Sequence, residues 1–239
     1  MIRTIHEKGR KFIAGLLLLT TETIISLSLF AGAVILFFFI AGSVFRHGTA
    51  GFDAAAFVFL ESFINDRNTS LVALITHLGD YQFLVPANLL LIFYYLVIRR
   101  HRWYSIKIPA VACGSLATML LLKLWFSRPR PLGPLLGPAL GYSFPSGHAV
   151  SSVTFFGLVI YFVWKNKTLV PSVRAFLILL LVLVILLIGV SRVYLRVHYA
   201  SDVLAGYCVG VIWLFISIHV LDRIEEKSKS KLAPLVEPS

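Results

Sequence analysis

Six long apolar runs separated by short polar breaks set the pattern of this chain. They fall at about 24–45, 83–98, 108–126, 146–164, 175–190 and 198–220, close to the ~20 residues an α-helix needs to cross a bilayer. The pattern therefore predicts an all-α fold, a polytopic membrane protein built as a bundle of six transmembrane helices. Between the first two runs, 54–60 and 71–78 are apolar but too short to span. They read as amphipathic segments at the membrane surface, broken at 65–68. Pro86 falls in the first turn of the second span, where its missing N–H costs little. Ala31-Gly32-Ala33 resembles a cleavage box, yet the apolar run continues through 34–40, as in a retained anchor. The whole of 1–239 reads as one integral membrane domain, with 223–239, charged and Pro-containing, as a loose cytoplasmic tail.

Composition agrees: 58% of residues are hydrophobic and 14% charged, too apolar a balance for a soluble domain. The net charge of +11 would suit nucleic acid, but its distribution points to membrane topology instead. Of the 22 Lys and Arg, the tails and loops on the side of the two termini hold 15 and the opposite side 7. Positive charge concentrates on the cytoplasmic side, so both termini are expected there. Cys113 and Cys208 lie inside apolar runs without partner spacing, so neither a disulfide nor a metal site is indicated.

The opposing charges are concentrated in three clusters where lipid disfavours them. An ionisable residue at the bilayer centre costs about 2.5–3.5 kcal/mol on insertion scales, and such residues are functional candidates by default. One cluster is Lys123 with Arg128 and Arg130, the second is Pro145-Ser146-Gly147-His148, and the third is Ser191-Arg192 with Arg196, His198 and Asp202. Asp202 is the single acid between Asp80 and Asp222, so a site built from these clusters is electropositive and draws anions. Arg offers a planar fork for phosphate oxygens and Lys a point charge. Ser146 and Gly147 at a helix start add free N–H groups and close backbone approach. His198 and Asp202 are four apart, on one helical face, where the carboxylate holds the imidazole in one tautomer and leaves the other nitrogen to attack phosphorus. His148 stands beside the anion site as acid and base. Outside the clusters, His77 and Asp80 read as polar residues at the membrane surface, and His6, His47, His101 and His219 lack partners. Arg128 and Arg196 fit equally as snorkelling anchors or as site residues.

Lys123-x6-Arg130-Pro131, Pro145-Ser146-Gly147-His148 and Ser191-Arg192-x5-His198-x3-Asp202 resemble, in order, the three signature motifs of the type 2 phosphatidic acid phosphatase superfamily. Within it the chain is similar to the bacterial phosphatidylglycerophosphatase B group, which includes undecaprenyl diphosphate phosphatases. The resemblance implies metal- and cofactor-independent hydrolysis of a lipid phosphate, with His198 as nucleophile and His148 as acid/base. Lys123, Arg130, Ser146, Gly147 and Arg192 would bind the phosphate. Phosphatidylglycerophosphate and undecaprenyl diphosphate both fit as substrates. The partners expected are this lipid and the surrounding membrane, with no nucleic acid, and nothing in the pattern sets an oligomeric state. An anion channel or lipid transporter would also carry intramembrane basic residues, but conduction needs no oriented nucleophile.

Overall fold

The structure, a computed structural model, describes residues 21–47 and 49–236. Among the described residues eight α-helices follow one another: α1 (Thr21–Gly42), α2 (Ala50–Glu61), α3 (Asp66–His77), α4 (Tyr81–Phe93), α5 (Arg102–Phe126), α6 (Gly147–Lys165), α7 (Pro171–Tyr194) and α8 (Ala200–Val236). A π-helical turn closes α1 (Ser43–His47), and another closes α4 (Tyr94–Ile98). Among the described residues six segments are long and apolar enough to cross a membrane, and their apolar flanks face outward, with Phe38, Leu90, Leu121 and Leu179 each about two-thirds exposed. In water this surface would be untenable; in lipid it costs nothing.

The expected six-span bundle is present, with three differences in extent. The stretch 71–78 is the end of α3 with its C-cap Leu78, and the break 78–80 joins it to α4, so that Asp66–Ile98 forms one long apolar segment. α5 and α7 begin earlier than expected, at Arg102 and Pro171. The last helix runs to Val236 instead of stopping at 220, so the expected loose tail is helical that far. Buried Lys107 explains part of this. It pairs with Asp222 and, at 2.8 Å, with Glu225, while Tyr161 Oη donates to both Asp222 oxygens at 3.1 Å. Arg3, His6, Lys8, Arg10 and Lys11 lie outside the described residues.

α8 is the central helix, packed by α1, α5 and α6. Its Gly206 and Gly210 make a small-residue stripe against α6. A Cβ at 206 would stand 2.8 Å from both Ala149 Cβ and Ser146 O, and one at 210 would stand 2.6 Å from Val153 Cβ. Close backbone approach of this kind substitutes for the hydrophobic driving force that lipid does not provide. It brings the start of α6 onto the start of α8. The ends of α5 and α7 arrive at the same end of the bundle, so two loops and four helix termini meet there.

Candidate active site

The link between α7 and α8 is five residues long, and its path is set by hydrogen bonds. Arg192 O accepts from both Val197 N and His198 N, each at 3.2 Å. Arg196 takes the left-handed conformation, φ 55°, that this reversal needs. The R192-x5-H198 spacing is thus the length of a helix-ending turn. His198 therefore sits before α8 and not within it, which corrects the expectation of a shared helical face. Asp202 instead occupies the third position of α8 and reaches back to Tyr199 N at 2.9 Å, as a capping-box carboxylate does.

The orientation of His198 follows. Its Nδ1 lies 3.6 Å from Asp202 Oδ2 and 3.3 Å from Ser143 Oγ, and Ser143 itself donates to Asp202 Oδ2. Nε2 is left facing Arg130 Nη1 at 3.3 Å. Only 2% of His198 is exposed, and burial pushes its pKa down to about 3, so the ring is neutral.

The loop 127–146 carries the cations to this ring. Ser127 ends α5 in the left-handed conformation, φ 46°, with its N–H on Lys123 O at 2.9 Å. Pro129 and Pro131 then keep the chain extended. Arg130 Nε donates to Leu140 O and Gly141 O at 3.1 and 3.0 Å, and Nη1 to Val197 O at 2.8 Å. Burial lowers its pKa. Lys123 Nζ donates to Tyr142 O at 2.6 Å. Phe144, fully buried among Phe37, Phe45 and Phe126 with ring centroids 4.9–6.2 Å apart, anchors the returning strand of the loop.

Ser146 precedes α6, and its N–H donates to Asp202 O at 3.0 Å. Its Oγ is buried without a partner, as is Arg192 Nε, while Arg192 Nη1 donates to Thr76 Oγ1 at 2.7 Å. The first-turn N–H groups of α6 have no acceptor within the helix. A Cβ on Gly147 would stand 3.9 Å from Lys123 Cε, so Lys123 lies over that turn. His148 Nε2 stands 3.0 Å from Asp80 Oδ1. Among the described residues, Lys123, Arg130 and Arg192 have no carboxylate within 4.0 Å, so three cations without a paired anion stand near a buried imidazole, an arrangement whose field attracts anions.

The sequence pattern of the PAP2 superfamily matches residues 105–226, which contain every one of these motifs. The chain belongs to the PAP2 superfamily. It is 30% identical over 166 residues to phosphatidylglycerophosphatase B of Bacillus subtilis (strain 168), covering 68% of this chain and 77% of that protein. The fold matches the crystal structure of a transmembrane PAP2-type phosphatidylglycerolphosphate phosphatase from Bacillus subtilis with a TM-score of 0.73 at 24% identity, over 82% of this chain and 96% of that one. Aquifex aeolicus LpxE matches with a TM-score of 0.54 at 24% identity, over 68% of this chain and 92% of that one.

Around the PAP2 motifs the structure adds residues that their spacing does not reveal. Arg128 is no lipid-facing anchor. Its Nη1 reaches Asp202 Oδ1 at 2.5 Å and its Nη2 reaches Asp53 Oδ2 at 2.9 Å, over the Tyr199 ring at 4.0 Å. Asp53, 2% exposed, also accepts from Ser201 N at 2.9 Å. Asp53 and Asp80 both fold in from before the motif region, so the site is less one-sidedly positive than the 80–222 interval suggests. Arg196 points the other way, to Glu61 at 2.9 Å. An aspartate early in a short amphipathic helix was the signal available for Asp53.

Proposed function

We propose that the chain hydrolyses phosphatidylglycerophosphate to phosphatidylglycerol and phosphate through a phosphohistidine on His198. The coarser assignment, a membrane lipid phosphatase, rests on superfamily membership and on the likeness to phosphatidylglycerophosphatase B. The observation that carries the mechanism is the orientation of His198, with Nδ1 committed to Ser143 and Asp202 and Nε2 turned toward Arg130.

Lys123, Arg130, Arg192, Ser146 Oγ and the α6 N–H groups hold the phosphoryl oxygens. His198 Nε2 attacks phosphorus, the bond to the alkoxide oxygen breaks, and His148 gives that oxygen its proton. Asp202 stabilises the positive charge that appears on the ring. In the second step His148, now basic, takes a proton from water as its oxygen attacks phosphorus. The P–N bond breaks, inorganic phosphate leaves, and both imidazoles return to their starting states.

A cavity of about 240 Å³ between α4, α5 and α6 favours a lipid over a soluble ester. Its apolar walls include Leu84, Ile108, Leu116, Phe155 and Leu158, and Ser151 places its upper end one turn from Gly147. By the Lys and Arg distribution the termini are cytoplasmic and the site opens on the extracytoplasmic face. That side also suits undecaprenyl diphosphate, a lipid released there during wall synthesis. Comparing kcat/KM for short-chain phosphatidylglycerophosphate, phosphatidate and undecaprenyl diphosphate ranks the substrates. The mechanism predicts that His198→Ala abolishes phosphate release and that vanadate inhibits. Wild-type turnover by His198→Ala would falsify it.

A further inference from the structure

We propose that Asp80 is the positioning residue for His148, holding its Nε2 so that Nδ1 exchanges the proton with the leaving oxygen and with water. The inference rests on the phosphohistidine reading and extends it. Asp80 occupies the N-cap position of α4, with extended backbone at φ −79° and ψ 152°. An aspartate there ordinarily accepts from its own helix's N–H groups, which is worth about 1 kcal/mol. Asp80 makes no such bond. Its carboxylate turns out of the helix, with Oδ1 at an ion-pair distance of 3.0 Å from His148 Nε2, a buried nitrogen that has no aligned hydrogen bond to any group, and Oδ2 3.2 Å from His77 Nδ1.

The turn before it is pressed onto the same imidazole. A Cβ at Gly79 would stand 3.0 Å from His148 Cδ2 and 2.7 Å from Ile188 Cγ2, so only glycine allows this approach without displacing one of them. Hydrogen bonds fix the turn: Gly79 N donates to Thr76 O at 2.9 Å and Asp80 N to His77 O at 3.1 Å. Thr76, one turn back, receives Arg192 Nη1. The last turn of α3 and the break after it therefore touch two residues of the motif site, Arg192 and His148, while lying outside the motif region.

The chemistry needs such a group. His148 must be an imidazolium before the first step and must become one again in the second, and an adjacent carboxylate stabilises that form while fixing which nitrogen works. The site then contains two carboxylate–imidazole pairs, Asp202 with the nucleophile and Asp80 with the acid/base.

The test is a double-mutant cycle on the full-length protein in detergent. Asp80→Asn keeps the side-chain shape and the capping capacity. On a short-chain phosphatidate its kcat falls about 10- to 100-fold, part of the 10²–10⁴ that acid–base catalysis contributes, with KM within about threefold of wild type. On p-nitrophenyl phosphate, whose leaving group needs no proton, Asp80→Asn lowers wild-type turnover but adds no loss to His148→Ala. Destabilisation by Asp80→Asn would depress both arms of the cycle equally, so additive losses overturn the inference. An Asp80→Asn kcat within twofold of wild type overturns it too. Should His148→Ala itself turn over normally, the phosphohistidine reading fails as well; an inactive His148→Ala beside an intact Asp80→Asn removes the Asp80 inference alone.

Discussion

Arg128 bridges Asp202 and Asp53, meeting Oδ1 of the first at 2.5 Å and Oδ2 of the second at 2.9 Å. One guanidinium thus ties the carboxylate behind His198 to α2. Both carboxylates are almost fully buried, and Ser201 hydrogen-bonds to Asp53 through its N–H and its Oγ, each at 2.9 Å. Removing the cation leaves two buried anions facing each other. Breaking a buried pair in this way costs about 3–5 kcal/mol. Arg128→Ala is expected to lower the melting temperature in detergent and to abolish turnover, and Asp53→Asn in the same chain to recover part of the stability but not the activity. Stability equal to wild type in Arg128→Ala would mean that the bridge is not formed.

The six spans and the three motif clusters were legible because lipid imposes simple rules: a span must be long and apolar, and a charge within it must have a reason to be there. The partners of those charges were not legible. Asp53 and Asp80 sit on short helices with no motif around them, and only folding brings them to Arg128 and His148. His198 read as helical because His and Asp four apart suggest a helix face, whereas the turn at Arg196 and the back-reaching cap of Asp202 produce the same proximity by another route. The last helix extends past 220 for a similar reason: Lys107, far away in sequence, holds Asp222 and Glu225.

The stripe on α8 makes a sharper claim about packing. With Ala149 Cβ and Ser146 O both 2.8 Å from a Cβ at 206, Gly206→Ala forces the start of α6 off α8 and stretches the 3.0 Å bond from Ser146 N to Asp202 O. Overpacking of this order costs about 1–3 kcal/mol. Activity is expected to fall further than that loss of stability alone explains, because the displaced turn carries Ser146 and Gly147. A variant as stable and as active as wild type would show that the two helices are not in backbone contact.

Two arginines of one motif are expected to behave oppositely. Arg192 has a buried Nε without a partner and a neutral partner, Thr76, at Nη1, so its charge is available to a phosphate. Arg196 is engaged with the exposed Glu61. Charge-assisted hydrogen bonds contribute about 1.5–3 kcal/mol, and Arg192→Gln is expected to weaken vanadate inhibition about tenfold or more. Arg196→Gln breaks an exposed pair worth at most ~1 kcal/mol and leaves vanadate inhibition unchanged. Equal effects of the two substitutions would exclude this division.

The burial of His198 predicts a pH signature in stability. Burial holds the folded-state pKa of His198 at about 3, against ~6.5 for an unfolded histidine. Between these values the unfolded chain binds a proton that the folded protein refuses, so stability rises with pH across the window. The contribution is fully present above ~6.5 and is lost as pH falls toward 3, with a slope of at most ~1.4 kcal/mol per pH unit. His198→Asn cannot titrate, yet it offers Ser143 and Asp202 an N–H in place of Nδ1. The melting temperature of wild type relative to His198→Asn is therefore expected to drop steadily from pH 7 to pH 4 in detergent. A difference that stays constant over that range would mean that the ring takes up its proton in the folded protein as readily as in the unfolded chain, so that burial does not hold it neutral.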